Sequence, residues 1–282
     1  VQLPTGRGLS VAVGCRPWLM RIDAAVGAWD AVFYPSWQMA VKGAKVLAVT
    51  DCLNFANPEK KEIMSQFVAS VESICDASVA LSAPVISGNV SFYNETKGQG
   101  ITSTPATGLI GLRNSVENIP YDVFQNNTET KKSDQVYLID FSQITLLAAK
   151  SVVGKMDSEK MAQAMSWFLK MLESHPMQAT QVVGAGGLAV TLAKMCQGGV
   201  GFVLDAKPLS DLRDLFSEKL YQVVVQPNDS LVFATDMKKS PWPVQYLGKI
   251  GGQQLQLGDE KIDLSNIISV SENALKNYFT GL

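Results

Sequence analysis

The chain has 282 residues, 46% of them hydrophobic, and 24 basic against 26 acidic residues give a net charge of -2. That length supports one or two substantial cores, with two domains favoured, and the near-neutral balance offers no general attraction for a polyanion, so nucleic acid is not an expected partner and any phosphate must be held by local loops and metal. No apolar run approaches the ~20 residues of a membrane span and no basic segment precedes an apolar one at the N-terminus, so a cytoplasmic protein without membrane contact is expected.

In chain order, residues 9–13 read as a strand. Ala28, Val32, Met39 and Ala40 then precede Gly43, which predicts a helix over 25–42, kinked at Pro35 and closed by a left-handed glycine. Residues 45–50 read as a buried strand ending at Asp51. Asn57-Pro58-Glu59 has the composition of a helix start. Ile63, Phe67, Val71, Ile74, Cys75 and Val79 follow at helical spacing, predicting a core-facing stripe to about Leu81. Val85-Ile86 and residues 107–112 are further strand candidates. The polar text between Asn114 and Ser133, with Pro120, predicts a surface excursion and a boundary near residue 130, hence domains over 1–130 and 131–282. In the second part a strand is expected at 135–139, and a helix at 158–173 with Met161, Met165, Phe168 and Leu172 on one face. A short helix is expected at 188–197, with strands at 199–204, 221–225, 230–234, 244–248 and 253–257. The class is mixed α and β.

Two segments carry the chemistry. Thr50-Asp51-Cys52-Leu53-Asn54-Phe55-Ala56-Asn57-Pro58-Glu59 and Ser87-Gly88-Asn89-Val90-Ser91-Phe92-Tyr93-Asn94-Glu95-Thr96 each run from an apolar stretch into Gly, Asn, Ser and acid. This is the composition of a strand end opening into a binding loop, and two of them point to one shared pocket. Asp51 and Asn89 offer the hard oxygens that suit magnesium, and Gly88 lets backbone approach a phosphate where a Cβ would intrude. From composition alone the same residues also read as a turn cap and a tight turn.

Both segments resemble the formylglycinamide ribonucleotide amidotransferase (phosphoribosylformylglycinamidine synthase) family, whose second half carries TD-x-LNF-x-NPE followed by SGNVS-x-YNET. Cys52, Ala56 and Phe92 fill the free positions. The resemblance implies the α+β, two-domain fold of the aminoimidazole ribonucleotide synthetase superfamily, an N-terminal sheet domain pairing with a sister domain and a C-terminal α+β domain behind it. It implies an ATP- and magnesium-dependent ligase of purine biosynthesis that converts an amide to an amidine with ammonia from glutamine. Residue by residue, it implies that Asp51 and Gly88 contact ATP, Asn89 binds Mg2+ and Ser91 hydrogen-bonds the formylglycinamide ribonucleotide. Asn54, Asn57, Tyr93 and Glu95 are assigned to loop architecture and capping. In the family this block follows a complete first half, so the chain is expected to be a C-terminal half, inactive alone, whose partners are the N-terminal half and a glutaminase domain or subunit. Without that half a homodimer through residues 9–112 is expected.

The chain departs from the family elsewhere. Where relatives read AV-x-EA-x-RN it has Ala31-Val32-Phe33-Tyr34-Pro35-Ser36-Trp37-Gln38, losing the Glu and the Arg. Where relatives read HDVSDGGLA it has Gln181-Val182-Val183-Gly184-Ala185-Gly186-Gly187-Leu188-Ala189, keeping the turn glycines and losing every ionisable side chain. Leu215-Phe216-Ser217-Glu218 matches LFSE, but the expected Arg is Gln222. These losses suit a protein with two pseudo-symmetric sites of which one is dead. Another superfamily enzyme and a non-catalytic, nucleotide-holding half stay open as alternatives. Cys15, Cys52, Cys75 and Cys196 read as reduced thiols, the single His175 as a helix-cap residue, and the five tryptophans as packing or interface residues.

Overall fold

The computed structural model describes residues 1–126, 133–144, 156–205 and 212–280. They form two compact units, Val1–Glu117 with Gln143–Met171, and Asn118–Ser142 with Leu172–Leu282. The chain therefore passes between units three times, where the sequence reading drew one boundary near 130. The polar excursion is in part core: Phe124 is buried and stacks on Phe202 at 5.5 Å within the second unit. The rest of it, 127–132, lies outside the described residues.

The first unit comprises β1 (Gly8–Cys15), α1 (Pro17–Ile22), α2 (Ala24–Ala40), β2 (Lys45–Asn54), α3 (Lys61–Ala80), β3 (Val85–Ser91), the small hairpin β4 (Glu95–Thr96) and β5 (Gln99–Gly100), β6 (Thr104–Arg113) and most of α4 (Ser158–Ser174). Its sheet runs β1-β6-β2-β3, antiparallel except for the parallel β2–β3 pair. Helix α2 is buried along nearly its whole length and packs on β1, α1 and α3. Asp23 caps it, its Oδ1 accepting from the Ala25 and Val26 amides at 2.8 and 3.0 Å.

Pro35 lies inside α2 and does not end it. Having no N–H, it leaves the Ala31 carbonyl without its usual helical donor. Thr107 Oγ1 on β6 donates to that oxygen instead. Gly14, opposite Thr107 in the β1–β6 ladder, makes room for it: a Cβ there would lie 1.9 Å from the Ala31 oxygen. Gly43 takes the expected left-handed conformation at φ +73°, and Arg113 Nη1 donates to the Lys42 carbonyl beside it.

The helix α3 stripe differs from expectation. The buried side chains are Ser70, Ser73, Ile74, Ala77 and Ser78, whereas Cys75 is exposed and Val79 is 79% exposed. Small residues let α3 approach α2 closely, and the Ser70 hydroxyl is satisfied within its own helix by the Gln66 carbonyl at 2.7 Å. Helix α4, which the sequence reading placed in the second domain, belongs largely to the first unit and meets α2, with Met161, Met165 and Phe168 buried on the face its spacing predicted. Trp29 Nε1 donates to Ser158 Oγ at 2.8 Å, and the Trp37 ring meets Phe168 edge-on at 5.6 Å.

The aromatic substitution in α2 coincides with a buried ion pair. Arg16 Nε lies 2.5 Å from Asp30 Oδ2, and the Arg16 guanidinium sits over the rings of Trp18 and Tyr34 at 4.8 and 4.4 Å. Tyr34, one of the residues that departs from the family pattern, thus stacks on a cation.

The second unit comprises β7 (Gln135–Asp140), β8 (Met177–Val182), α5 (Gly187–Met195), β9 (Phe202–Leu204), α6 (Leu212–Phe216), β10 (Gln222–Pro227), α7 (Ser230–Asp236), β11 (Val244–Ile250), β12 (Gln254–Leu257), β13 (Glu260–Asp263) and α8 (Leu264–Thr280). The sheet order is β13-β12-β9-β11-β7-β10-β8, and its core gathers Val136, Leu138, Leu192, Phe202, Val224 and Leu247. Residues 230–234, expected as a strand, form α7 instead. Asp229 Oδ1 accepts from the Leu231 and Val232 amides at 3.1 Å each, a cap that outweighs the β-prone composition. His175 is paired rather than capping: Nε2 lies 3.1 Å from Asp236 Oδ2, and the ring meets Phe233 edge-on.

Asp30→Ala leaves a buried guanidinium without its carboxylate and is expected to lower unfolding free energy by about 3–5 kcal/mol, whereas Arg16→Met with Asp30→Leu costs far less. Urea denaturation of both variants checks this; equal losses would contradict it.

Candidate functional site

Parallel pairing of β2 with β3 builds the site. The register sets Asp51 opposite Gly88, Cys52 opposite Asn89, Leu53 opposite Val90 and Asn54 opposite Ser91. The sequence reading put Asp51, Gly88 and Asn89 in loops; they lie in the ladder, because strand pairing continues through both motifs to Asn54 and Ser91. The loops begin at Phe55 and Phe92.

Gly88 is the closest point. A Cβ there would lie 2.2 Å from Asp51 Oδ1, so only glycine leaves the carboxylate its place. Desolvation pushes the Asp51 carboxyl above its ordinary 3.8, and the Asn89 backbone N–H, donating to it, pulls the other way. Gly88 and Asn89 are exposed, and Ser91 is half-buried.

The two loops are fastened to each other. Asn94 Nδ2 donates to the Phe55 and Ser91 carbonyls, both at 2.9 Å, and the Asn94 amide group also lies against Ser91 Oγ. Tyr93 adopts a left-handed backbone, φ +58°, with its N–H on the Ala56 carbonyl at 3.0 Å. Glu95 Oε1 accepts from Lys60 Nζ at 2.7 Å and from the Asn57 N–H at 3.2 Å, and these donors hold its carboxyl below the ordinary range. Asn57 itself does not start the helix; its Oδ1 accepts the Glu59 N–H at 2.9 Å in a turn, and α3 begins at Lys61.

Phe92, at a free motif position, closes an aromatic cluster with Phe55 and Phe67, centroids 6.2 and 5.0 Å away. The sequence reading passed over this cluster and over Lys60. The signal for the first was an aromatic directly after each motif strand and one on the intervening helix.

In the second unit, the 181–187 segment is held by backbone. Val183 N–H donates to the Gln222 carbonyl at 2.8 Å. Gln181 Nε2 lies 3.2 Å from Asp122 Oδ1, and Gln222 Nε2 donates to Asp140 Oδ2 at 2.9 Å. Gly187, at φ +70°, faces the Leu215 carbonyl, where a Cβ would come within 2.5 Å. The surviving glycine and the surviving LFSE segment are therefore in contact.

Residues 2–112 match the family of AIR synthase related protein, N-terminal domain. Over 96% of its length the chain is 31% identical to the phosphoribosylformylglycinamidine synthase subunit PurL of a Nitratiruptor species, and it spans 38% of that relative's length. Among solved structures, Thermotoga maritima PurL complexed with ATP superimposes with TM-score 0.61 at 17% identity, covering 89% of this chain and 37% of that one. The thiamine-monophosphate kinase of Stenotrophomonas maltophilia K279a superimposes with TM-score 0.63 at 14% identity, covering 93% and 89%. The fold is the mixed α+β fold of these AIR synthase-like proteins.

A carboxyl whose value is raised in the folded state favours folding below its unfolded value and loses that contribution as pH rises through the folded one. Asp51→Asn, which keeps an oxygen for the Asn89 N–H, is therefore expected to raise the melting temperature at pH 7, the gain vanishing below about pH 3.8. Thermal melts across that range check the sign. Asn94→Ala, which unfastens both loops, is expected to cost ~2–3 kcal/mol in the same assay.

Proposed function

We propose that this chain is one half of the synthetase of a phosphoribosylformylglycinamidine synthase, an ATP-dependent, amidine-forming ligase of purine biosynthesis working in the cytoplasm. Asp51 and Gly88 contact ATP, Asn89 binds Mg2+, and Ser91 hydrogen-bonds the formylglycinamide ribonucleotide. The observation that carries this reading is the pairing of Asp51 with Gly88 at the mouth of two interlocked loops, where a carboxylate stands over backbone free of side chain. Similarity to PurL over 96% of the chain supports it.

The donor set suits magnesium brought in with nucleotide. The Asn89 amide oxygen leaves the remaining positions to phosphate and water, the arrangement Mg2+ prefers. Among the described residues no group of three His, Cys, Asp or Glu side chains makes a metal cage. Bound magnesium would neutralise charge on the reacting phosphates. The chain's own residues position: Asp51 keeps its carboxylate in the space that Gly88 leaves open, Gly88 and the Asn89 amide stand exposed, and Ser91 Oγ, now shared with Asn94, turns to the substrate. The first half of the same enzyme completes the site, and a glutaminase domain or subunit supplies ammonia. Val11 and Val13, exposed on β1, suit coverage by a sister domain and, in the chain alone, by a second copy through residues 9–112.

A second reading, a half that holds nucleotide without catalysing, is favoured by the 181–187 segment, which carries no ionisable side chain. Calorimetric titration with ATP and Mg2+ separates them. The first reading expects binding that Asp51→Ala abolishes, and amidine formation on addition of the first half that Asn89→Ala lowers by at least about tenfold. Binding unchanged in Asp51→Ala, or full turnover in the reconstituted Asn89→Ala protein, would reject these assignments.

A further inference from the structure

Alternation along the strands sorts the residues of the first unit's sheet onto two faces. Thr107 donates to the Ala31 carbonyl of α2, so Thr107 and its ladder partners Asp51 and Gly14 point to the helix side. Their neighbours along each strand point the other way, to the open face. There Thr104, Asn54 and Ser91 form one row across three strands, and Ala106, Cys52 and Asn89 form the next, continued to Cys15 on β1. Burial and contact agree: Cys15 and Cys52 are exposed, and Asn54 Nδ2 lies 3.5 Å from Cys52 Sγ, two residues back on the same face. No residue of the two rows carries a charge. Asn54, which the sequence reading assigned to loop architecture, is thus a strand residue beside Ser91. Its Nδ2 donates to the Cys52 and Thr104 carbonyls at 3.2 and 3.3 Å, which uses both amide hydrogens on backbone. Among the described residues Oδ1 is left with the weak thiol donor of Cys52, 4.0 Å away.

We propose that the substrate lies along this open face and that Asn54 is a specificity-determining contact beside Ser91, its Oδ1 accepting from an uncharged O–H or N–H group of the ribonucleotide. The proposal rests on the assignment of Ser91 to the substrate. An acceptor fastened to two strands by its own donors is preorganised, and a site built this way rejects ligands that lack the matching donor. Ser91 Oγ, a hydroxyl that both donates and accepts, stands opposite it in the ladder. Ribose hydroxyls and a carboxamide have that chemistry. A phosphate does not: it is itself an acceptor, and it meets neither a cation in the two rows nor a donor at Asn54 Oδ1. The reacting sugar and amide therefore lie on the open face, while Asp51 serves from the helix side.

Steady-state kinetics of the chain joined by its first half, with ammonium as nitrogen donor, test the contact. Asn54→Leu is expected to raise KM for formylglycinamide ribonucleotide at least about tenfold and to leave KM for ATP unchanged. Asn54→Asp keeps an acceptor oxygen but cannot donate to the two carbonyls, and its KM is expected to stay within about threefold of wild type. Equal losses in the two variants would reduce Asn54 to a backbone tie and overturn the proposal. So would a loss in Asn54→Leu that disappears with the dephosphorylated ribonucleoside, which would put phosphate at this row. The 2′- and 3′-deoxy analogues assign the donor: a ribose hydroxyl if one of them no longer senses Asn54→Leu, the amide if both still do. Cys52 reports the location without turnover. Substrate is expected to slow its alkylation by iodoacetamide at least about fivefold, read by peptide mapping, while the exposed Cys75 on α3 reacts as before. A Cys52 that reacts alike with and without substrate would overturn the placement. Raised KM in Ser91→Ala with none in Asn54→Leu would overturn this inference alone, and an unchanged KM in Ser91→Ala would overturn it together with the reading on which it rests.

Discussion

Everything that sets the first unit apart depends on the parallel ladder between β2 and β3. Both strands end in a polar motif, and parallel pairing brings those ends out at the same edge. Antiparallel pairing would have sent them to opposite ends of the sheet. The register then fixes which side chains meet, because a one-residue slip would turn every side chain to the other face. Asp51 falls opposite Gly88, and the missing Cβ of Gly88 is the space its carboxylate uses. The desolvation that results raises the Asp51 carboxyl, so the ladder carries a local stability cost at the residue best placed for chemistry.

The sheet is held to its helices by a similar complementarity of absences. Pro35 lacks an N–H, Gly14 lacks a side chain, and between them the Ala31 carbonyl reaches the Thr107 hydroxyl. None of the three residues has an evident role when read alone. Together they allow a helix that is apolar nearly all round to lie close on a twisted sheet without orphaning a buried oxygen.

This explains what was legible in the sequence. Periodicity showed α2, α4 and most strands, and the motifs pointed to the two segments that the β2–β3 ladder brings together, because each signal is local. What was missed depends on partners distant in sequence. Around Ile74 the buried face of α3 is made of Ser and Ala, which hydropathy does not mark as core, and the apolar Val79 is left outside. The strand expected at 230–234 became α7 because a single cap, Asp229, outweighed the propensity of Val232 and Phe233. The passage of 143–171 back into the first unit left no compositional mark. Helix α8 went unread although Val270, Ala274 and Tyr278 carry helical spacing.

The 181–187 segment separates what a loop needs to fold from what it needs to react. Gly186 and Gly187 both have positive φ, and added side chains would strike Val190 and the Leu215 carbonyl respectively. Those positions are constrained by the backbone itself, whatever the loop does. The Gln181 and Gln222 side chains are held by hydrogen bonds to Asp122 and Asp140, which many polar side chains can make. A loop relieved of chemistry would lose the second kind of residue and keep the first. Against the family pattern it resembles, the 181–187 segment matches at its glycines and not at Gln181, whereas the β2–β3 edge matches at both Gly88 and Asp51.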